Sequence, residues 1–460
     1  MVPAFVHRFG AYAASVPSAR ELADALTRSG VRAVAMTWVD NAGVTRVKAV
    51  PVDRLEAVDA WGVGMSPVFD VYLSDDSMTA SAHTGGPVGD LRLFPDLDRL
   101  TRLHPEPRWA WAPVDRRTQQ GDPYDGCQRT FARTMTARAA SAGLALKMAF
   151  EVEWFVGYDE GDGMTPACRG PAYGMTRVIE LADYLADVLE ALSAEAVVVE
   201  QLHPEYAPGQ MELSVEAAEP VEAADRLVLV KQTIRAVSQA YGLRPSFAPV
   251  VVAGSVGSGG HLHLSVSSSA SNLFARGDGP HGLTAHGEST LAGLLDHLPA
   301  LCAVGAPSVA SYLRLVPQRW AGAFHCWGLE NREAGLRLVT GTRGSEPAAA
   351  NAELKCFDLS ANPYLVVGAV TAVVCASFER GARLPPEVTV DPASLPASAQ
   401  PARLPQSLGQ AVDALEGDEV LREAMGEVLF EAFVAVRRAE IGRLAGQSDE
   451  DVVAATRWIP

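Results

Sequence analysis

Leu144–Tyr158 has the sequence LALKMAFEVEWFVGY, in which apolar residues occupy every second position from Leu144 to Phe150. Side chains two residues apart in a β-strand point to the same face of the sheet. Glu151 and Glu153 therefore lie together on the face opposite these apolar residues. An apolar face backing a polar one is typical of an antiparallel sheet. Because helical segments flank this strand in the sequence, we predict an α+β fold whose antiparallel sheet carries chemistry on its open face.

Three further segments carry carboxylates or imidazoles at the same strand spacing. They are HPE at 203–205 with QME at 210–212, HLH at 261–263, and AELK at 352–355. An isolated E-x-E or H-x-H pair is usually surface or structural, whereas four such segments together indicate a site. The predicted metal ligands are Glu151, Glu153, Glu205, Glu212, His261 and Glu353.

Electrostatics explains why such a set needs cations. Carboxylates that converge on one spot repel one another by several kcal/mol unless positive charge lies between them. A set of carboxylate oxygens with one imidazole suits Mg²⁺ or Mn²⁺ better than zinc. Two divalent ions in one cage are typical of phosphoryl transfer, where they neutralise phosphate charge.

The remaining sequence suggests two domains. SARE at 18–21 is a capping box that predicts a helix, and strand-like runs at 32–38 and 45–52 flank the turn sequence DNAG at 40–43. These elements predict a small N-terminal domain, residues 1–107, with the Pro-containing segment 104–107 as its junction. Residues 108–460 form the predicted larger domain, with helical periodicity at 179–192 and a helical tail from 406 to 444.

Composition restricts the possible partners. The 460 residues carry a net charge of −17, with 48% hydrophobic and 20% charged residues. This balance is ordinary for a globular enzyme and argues against binding to nucleic acid or an anionic membrane. There is no C-x-x-C pair, no signal-peptide pattern and no apolar run as long as a membrane span. We therefore expect a cytoplasmic protein with reduced thiols.

Four motifs follow one another in the order of a known family. They are PGQME at 208–212, RLVP at 314–317, ENR at 330–332 and SANPY at 360–364. With the metal ligands, this series resembles the glutamine synthetase superfamily over nearly the whole chain. The resemblance implies an N-terminal β-grasp-like domain and a catalytic domain with a curved antiparallel sheet flanked by helices. It also implies a homododecamer of two stacked hexameric rings, with active sites between subunits.

The resemblance assigns roles residue by residue. The site nearest the acceptor glutamate matches Glu153, Glu205 and Glu212, and the site that holds the nucleotide phosphates matches Glu151, His261 and Glu353. Positions on the nucleotide side match Glu200, His263, Ser265 and Arg332. Contacts with glutamate and the moving phosphoryl group match Gly257, Arg314, Arg337 and Lys355. Asp40 matches an aspartate that enters the active site from a neighbouring subunit.

The implied reaction uses ATP as co-substrate. ATP phosphorylates the γ-carboxylate of glutamate, because a free carboxylate is a poor electrophile. An amine then attacks the acyl phosphate and phosphate leaves. Two divalent cations, Mg²⁺ or Mn²⁺, and the arginines neutralise the transferred charge.

The departures from the family concern the amine. Where glutamine synthetases carry a flap glutamate after RLVP, this chain has Trp320, which offers an apolar wall and a cation–π face. Val256 replaces an asparagine before Gly257, and Lys355 stands where many relatives have arginine. These changes favour an amine that carries carbon over ammonium.

Three functions therefore remain open from the sequence. The preferred hypothesis is an ATP-dependent glutamate–amine ligase, with ethanolamine as the small amine and a polyamine as the alternative. The second is ordinary glutamine synthetase, against which Trp320 and Val256 count. The third is a catalytically silent scaffold, which need not retain every metal ligand and arginine.

Overall fold

The computed structural model describes residues 17–161 and 163–459, and its strands form two sheets. The strands of the smaller sheet are β1 (Ala33–Val39), β2 (Thr45–Pro51), β3 (Val63–Met65), β4 (Leu91–Pro95), β5 (Thr101–Arg102) and β6 (Trp109–Arg117). Their order is β2-β1-β6-β4-β3, with β5 also paired to β6. Helices α1 (Ala19–Arg28) and α2 (Leu55–Trp61) belong to the same part of the chain. The predicted capping box is confirmed, because Ser18 and Glu21 bond reciprocally at the start of α1.

The larger sheet contains nine strands and carries the predicted site. They are β7 (Leu144–Tyr158), β8 (Val199–Pro204), β9 (Gln210–Val215), β10 (Leu243–Ser246), β11 (Leu262–Ser268), β12 (Ser271–Asn272), β13 (Phe324–Leu329), β14 (Ala334–Val339) and β15 (Asn351–Leu354). The main path is β13-β14-β15-β11-β7-β9-β8, while β10 pairs with β7 and β12 with β11. Except for the parallel pair β13 and β14, the strands of this sheet pair antiparallel.

The alternation predicted for β7 is confirmed. Leu144, Leu146, Met148 and Phe150 are buried, whereas the residues between them are exposed or half-buried. The buried side chains belong to the main hydrophobic core of the protein. The open face is left for the functional side chains.

Helices flank this sheet. In chain order they are α3 (Gln128–Ser141), α4 (Met175–Glu180), α5 (Ala182–Ala194), α6 (Pro220–Ala240), α7 (Ala285–Gly305), α8 (Ser311–Arg314), α9 (Glu346–Ala349), α10 (Pro363–Ser377), α11 (Leu408–Glu416), α12 (Glu419–Arg443) and α13 (Asp449–Thr456). The most apolar helix, α10, is buried on nearly all sides between α3, α6 and α7. None of the helices in the described ranges combines the length and apolarity of a membrane span.

Two details differ from the expectations. The helix predicted over 179–192 is broken at Leu181, whose φ of −116° and ψ of 21° leave the helical region and separate α4 from α5. The division of domains at residue 107 stays a prediction. However, β6 begins beyond that residue and pairs with β1 and β4 in the smaller sheet, so a division after Arg117 would keep this sheet whole.

Glu195, at the end of α5, links three segments of the chain. Its carboxyl group accepts a hydrogen bond from His104 N at 2.9 Å and contacts the hydroxyl group of Thr233. Thr233 also lies 3.0 Å from Leu229 O, a carbonyl that can only accept. Because a hydroxyl group has one proton, a protonated Glu195 satisfies all of these contacts at once. Burial raises the pKa of Glu195 to about 7, which agrees with this arrangement.

This buried carboxyl group makes stability depend on pH. The folded chain holds the proton more tightly than the unfolded chain, where the pKa is near its ordinary value of 4.5. The stabilising contribution is therefore complete below pH 4.5 and is lost as pH rises through about 7. In Glu195→Gln the amide imitates the protonated acid, so we expect a Tm that falls less between pH 5 and 8 than that of the parent. Parallel Tm curves in thermal-shift measurements would contradict this assignment.

Candidate active site

Strand register brings the first group of predicted residues together. Glu153 of β7 lies opposite Glu212 of β9, and Glu212 lies opposite His203 of β8. His203 Nε2 is 3.3 Å from a Glu212 oxygen, and its Nδ1 is 3.5 Å from a Glu205 oxygen. Tyr173 donates its hydroxyl proton to Glu205, at 2.8 Å from the nearer oxygen. Four side chains from three adjacent strands and their connections thus converge around Glu205.

The second group forms on the other side of β7. His263 of β11 lies opposite Glu353 of β15, and Glu353 lies opposite Arg337 of β14. Glu151 joins the group, because its two oxygens lie 2.8 Å from His261 Nδ1 and 3.1 Å from His263 Nε2. The two imidazoles thus share one carboxylate, and Glu353 Oε1 is 3.3 Å from His261 Nδ1.

Charge is distributed unequally between these groups. Burial and the neighbouring Glu212 carboxylate raise the pKa of Glu153 to about 8. Burial also opposes ionisation of Glu353, but Lys355 and the two nearby imidazoles lower the pKa of this group to about 2. Lys355 Nζ lies 2.9 Å and Arg337 Nη1 2.8 Å from the Glu353 oxygens. His261 and His263 likewise hold the pKa of Glu151 well below its ordinary value, so the carboxylates that have basic partners stay ionised and Glu153 does not.

The donor set fits divalent cations. In this site, two groups of three residues each place their ligand atoms within 4.8 Å of one another: Glu151, His263 and Glu353, and His203, Glu205 and Glu212. Carboxylate oxygens with an imidazole suit Mn²⁺ or Mg²⁺. The set with Glu205 and Glu212 contains His203, where the family resemblance assigned Glu153. The set with Glu151 and Glu353 contains His263, where the resemblance assigned His261. His261 Nε2 instead lies 2.9 Å from Arg314 Nη2, so the individual ligand roles stay predictions.

Glycines allow the backbone to approach this centre closely. A Cβ atom on Gly259 would lie 2.3 Å from His261 Nε2 and 2.8 Å from a Glu153 oxygen. A Cβ atom on Gly257 would lie 2.3 Å from Pro249 O and 2.9 Å from Arg314 Cγ. Gly257 was predicted from the sequence. Gly259 was missed, because the atoms that crowd its Cα come from distant segments that meet only after folding.

A cavity of about 960 Å³ opens over both groups. The predicted residues that line it are Glu151, Glu153, Glu205, Glu212, Gly257, His261, Arg314, Trp320, Arg332, Arg337 and Lys355. His263 and Glu353 lie directly behind this lining, in contact with Glu151 and Lys355 respectively. Two predicted residues, Glu200 and Ser265, are not among the described residues that line the cavity. Glu200 is exposed on β8, and Ser265 lies opposite Lys147 in the sheet.

Sequence reasoning missed several other lining residues. Tyr173, His203, Gln210 and Asp449 all contribute to the cavity wall. Gln210 is buried, and its amide nitrogen lies 3.0 Å from both a Glu153 oxygen and Gly257 O, so it links a predicted ligand to the glycine loop. His203 and Gln210 lie inside the HPE and QME segments quoted above, so the sequence contained a signal that could have identified them. Tyr173 and Asp449 belong to no motif.

Asp40 lies away from the cavity in its own chain. Its side chain is fully buried within its own chain, where Oδ1 accepts bonds from Ala42 N and Val44 N, both at 2.9 Å. Oδ2 pairs with Arg46 Nε at 2.7 Å. Burial raises the pKa of Asp40 to about 6. These contacts close the turn between β1 and β2 around Asp40, and its role at a neighbouring subunit's active site stays a prediction.

Comparison with known proteins agrees with this geometry. Residues 125–453 match the family described as glutamine synthetase, catalytic domain, and this segment contains both predicted groups of metal ligands. The chain therefore belongs to the glutamine synthetase catalytic-domain family. Its class of reaction is ATP-dependent γ-glutamyl ligation.

Individual relatives show which members of this family the chain resembles. The chain is 53% identical over 450 residues to γ-glutamylpolyamine synthetase GlnA3 of Streptomyces coelicolor, covering 96% of this chain and 97% of the relative. A crystal structure of a novel glutamine synthase homolog is 32% identical, with a TM-score of 0.82 over 92% of this chain and 97% of the other. The GmaS/ADP complex is 29% identical, with a TM-score of 0.82 over 93% and 97%. These structures confirm the α+β fold with a curved sheet and flanking helices.

Glu153 provides a direct test of the cage. Glu153→Gln keeps the shape of the side chain but removes one negative charge at the centre of the site. We expect phosphate release from ATP, glutamate and amine to fall by about 100-fold or more, and Mn²⁺ binding in calorimetry to weaken. Glu190→Gln, which changes an exposed carboxylate on α5, is the matched control and should behave like the parent. Parental turnover and parental Mn²⁺ affinity in a folded Glu153→Gln protein would refute the assignment.

Proposed function

We propose that this protein is an ATP-dependent ligase that joins the γ-carboxylate of glutamate to a primary amino group of a polyamine. The observation that carries this proposal is the cavity itself. It combines a carboxylate cage, an exposed tryptophan and an additional aspartate, Asp449, at the start of α13. Its volume of about 960 Å³ can hold glutamate, nucleotide phosphates and an extended amine.

The walls of the cavity differ in charge. Acidic side chains come from β7, β9 and the connection between β8 and β9, as Glu151, Glu153, Glu212 and Glu205. Basic side chains come from the region between α8 and β15, as Arg314, Arg319, Arg332, Arg337 and Lys355. An arginine-rich wall suits the carboxylate and phosphate groups of glutamate and ATP. The acidic wall suits cations, both metal ions and the ammonium group of an incoming amine.

The chemical step follows from these charges. Divalent cations held by the carboxylate groups, when bound, neutralise phosphate charge and polarise the transferred phosphoryl group. Arg314 and Arg337 are buried and rigidly held, so they orient substrate oxygens without losing much side-chain freedom. Arg314 Nη2 donates to Lys355 O at 3.1 Å, and this bond holds the Arg314 guanidinium group beside His261. The attacking amine must lose a proton, and the carboxylates of the acidic wall are the groups placed to receive it.

The aromatic residues of the lining suit a long amine. Trp320 is 60% exposed and lines the cavity, where its ring offers both an apolar surface and a cation–π face. Tyr173 and Tyr206 line the same cavity and are also more than half exposed. The methylene groups of a polyamine can pack on these rings while Asp449 pairs with a second ammonium group. Ethanolamine has one charge and two carbons, so it would leave Asp449 unused.

The relationship to the Streptomyces polyamine enzyme supports the same choice. The sequence comparison does not support ethanolamine, and the polyamine alternative fits it better. Ordinary glutamine synthesis is disfavoured by an indole where the family's ammonium-using members carry a flap carboxylate. A silent scaffold is disfavoured because every predicted metal ligand is brought into the two groups or the cavity wall.

Substrate panels test the proposal directly. Phosphate release from ATP and glutamate should be measured with ammonium, ethanolamine, putrescine, spermidine, spermine and butylamine, with mass spectrometry of the γ-glutamyl products. We expect the highest kcat/KM with the polyamines, because discrimination between substrates is measured by that ratio. Butylamine has the methylene groups but not the second charge, so it separates apolar packing from charge recognition. A preference for ethanolamine or ammonium would overturn the proposal.

Asp449 should distinguish long amines from short ones. Asp449→Asn removes the charge at the cavity wall, so we expect KM for spermidine to rise by about fivefold to tenfold while KM for butylamine stays the same. Glu450→Gln is the matched control, since Glu450 is the next residue of the same helix turn and is exposed but does not line the cavity in the described structure. Equal effects on spermidine and butylamine would contradict a role in recognising the second ammonium group.

The larger assembly is a further part of the proposal. We infer a cytoplasmic homododecamer that uses Mg²⁺ or Mn²⁺, on the family resemblance alone. Light scattering coupled to size-exclusion chromatography measures the subunit number, and activity of the metal-stripped enzyme restored by each ion separates the two metals. A monomer that is fully active at low concentration would refute the assembly.

A further inference from the structure

The loop between α8 and β13 holds its residues in an unusual conformation. Gln318 has φ of +60° and Trp320 has φ of +53°, both in the left-handed region that bulky side chains rarely adopt. Such a backbone persists only when surrounding contacts hold it in place. The loop also carries the exposed tryptophan of the cavity wall, so whatever holds it determines where the indole lies.

Glu333 supplies the contacts that hold this loop. One carboxylate oxygen accepts the Trp320 amide at 2.7 Å, and the other accepts the Gln318 amide at 3.1 Å. The Glu333 side chain is 6% exposed, so these are enclosed bonds between a carboxylate and two backbone N–H groups. Hydrogen bonds to a charged acceptor are stronger than neutral ones and weaken less when they are shielded from water.

Glu333 is itself anchored from behind. Its amide donates to Asn331 Oδ1 at 3.1 Å, and Asn331 Nδ2 donates to Val388 O at 2.7 Å and Val390 O at 3.0 Å. Glu333 therefore connects the loop, which its carboxylate holds, to the segment that follows α10, which its amide reaches through Asn331. On its other side the loop lies against Lys355, since a Cβ atom on Gly322 would be 2.7 Å from Lys355 Cβ. The loop is thus held both before and after Trp320 in the sequence.

We propose that Glu333 is a positioning residue that holds Trp320 over the amine-binding part of the cavity and keeps water away from the acyl phosphate. This inference rests on the proposed amine ligase activity. Glu333 does not line the cavity in the described structure and acts only through the loop. A released loop would lose the apolar wall for the amine and open a path for water, so the acyl phosphate would be hydrolysed without forming an amide bond.

Two variants and one control test this role. Glu333→Ala removes both acceptors, while Glu333→Gln keeps one and turns an amide N–H₂ group toward a backbone donor. Asp391→Asn is the matched control, because Asp391 also reaches the loop but only through the Gln318 side chain at 3.5 Å. Asp391 Oδ1 accepts from Ala393 N, and asparagine can retain that bond.

The structural readout does not depend on any substrate. Arg319 is exposed between the two held amides, so trypsin cleavage after Arg319 reports how often the loop opens. We expect cleavage at this bond to accelerate about tenfold in Glu333→Ala, less in Glu333→Gln, and not at all in Asp391→Asn. Unchanged cleavage in Glu333→Ala would overturn the proposal regardless of what the enzyme ligates.

The kinetic readout tests the consequence for catalysis. With the amine that the substrate panel selects, Glu333→Ala should raise the amine KM about tenfold and leave KM for ATP within about twofold. The ratio of phosphate released to amide formed should rise above that of the parent. Faster cleavage with an unchanged amine KM and ratio would mean that the loop is held but does not position the amine, which would also overturn the proposal. A failure of polyamines in the panel changes the amine used and leaves this test intact.

Discussion

Repulsion between like charges on one face of β7 is the constraint on which the site depends. Glu151 and Glu153 share that face, and Glu212 stands directly opposite Glu153. Such a cluster is tolerable only if each negative charge is matched, protonated or bound to a cation. The protein itself provides the first two, namely basic partners for some carboxylates and protonation for another. Lys355 and Arg337 match Glu353, whereas burial and the Glu212 carboxylate outweigh the effect of Arg314 on Glu153 and raise its pKa to about 8.

The glycine loop before β11 follows from the same constraint. Charged groups must approach within about 3 Å to neutralise one another, and a side chain on Gly259 would occupy the space between His261, Glu153 and Arg314. Gln210 then ties this loop to Glu153 with one buried amide group. The chain thus uses backbone proximity where an additional side chain would have separated the charges.

The aromatic part of the cavity, where we propose that the amine binds, would act by a different physical effect. Methylene groups gain free energy by leaving water, and an indole or phenol ring provides the surface for that burial while still attracting a nearby cation. Ammonium has no methylene groups and benefits only from charge. In the proposed polyamine ligase, the replacement of a flap carboxylate by Trp320 changes which part of the substrate is recognised. A wall of this kind must be held still, because a mobile ring neither discriminates between amines nor excludes water.

The sequence alone determined the class of fold, the strand that carries the carboxylates and most of the charged residues that line the cavity. Strand periodicity is local, so Leu144–Tyr158 shows its two faces without any knowledge of its partners. The motifs that carry the resemblance are also short. The tertiary structure decided the contacts between distant segments: Tyr173 on Glu205, Asp449 at the cavity wall and Glu333 beneath Trp320. It also decided the burial of Asp40, which depends on how the turn after β1 packs rather than on its neighbours in sequence. Spacing along the chain predicts which side chains share a strand face, but only the folded path shows which segments meet there.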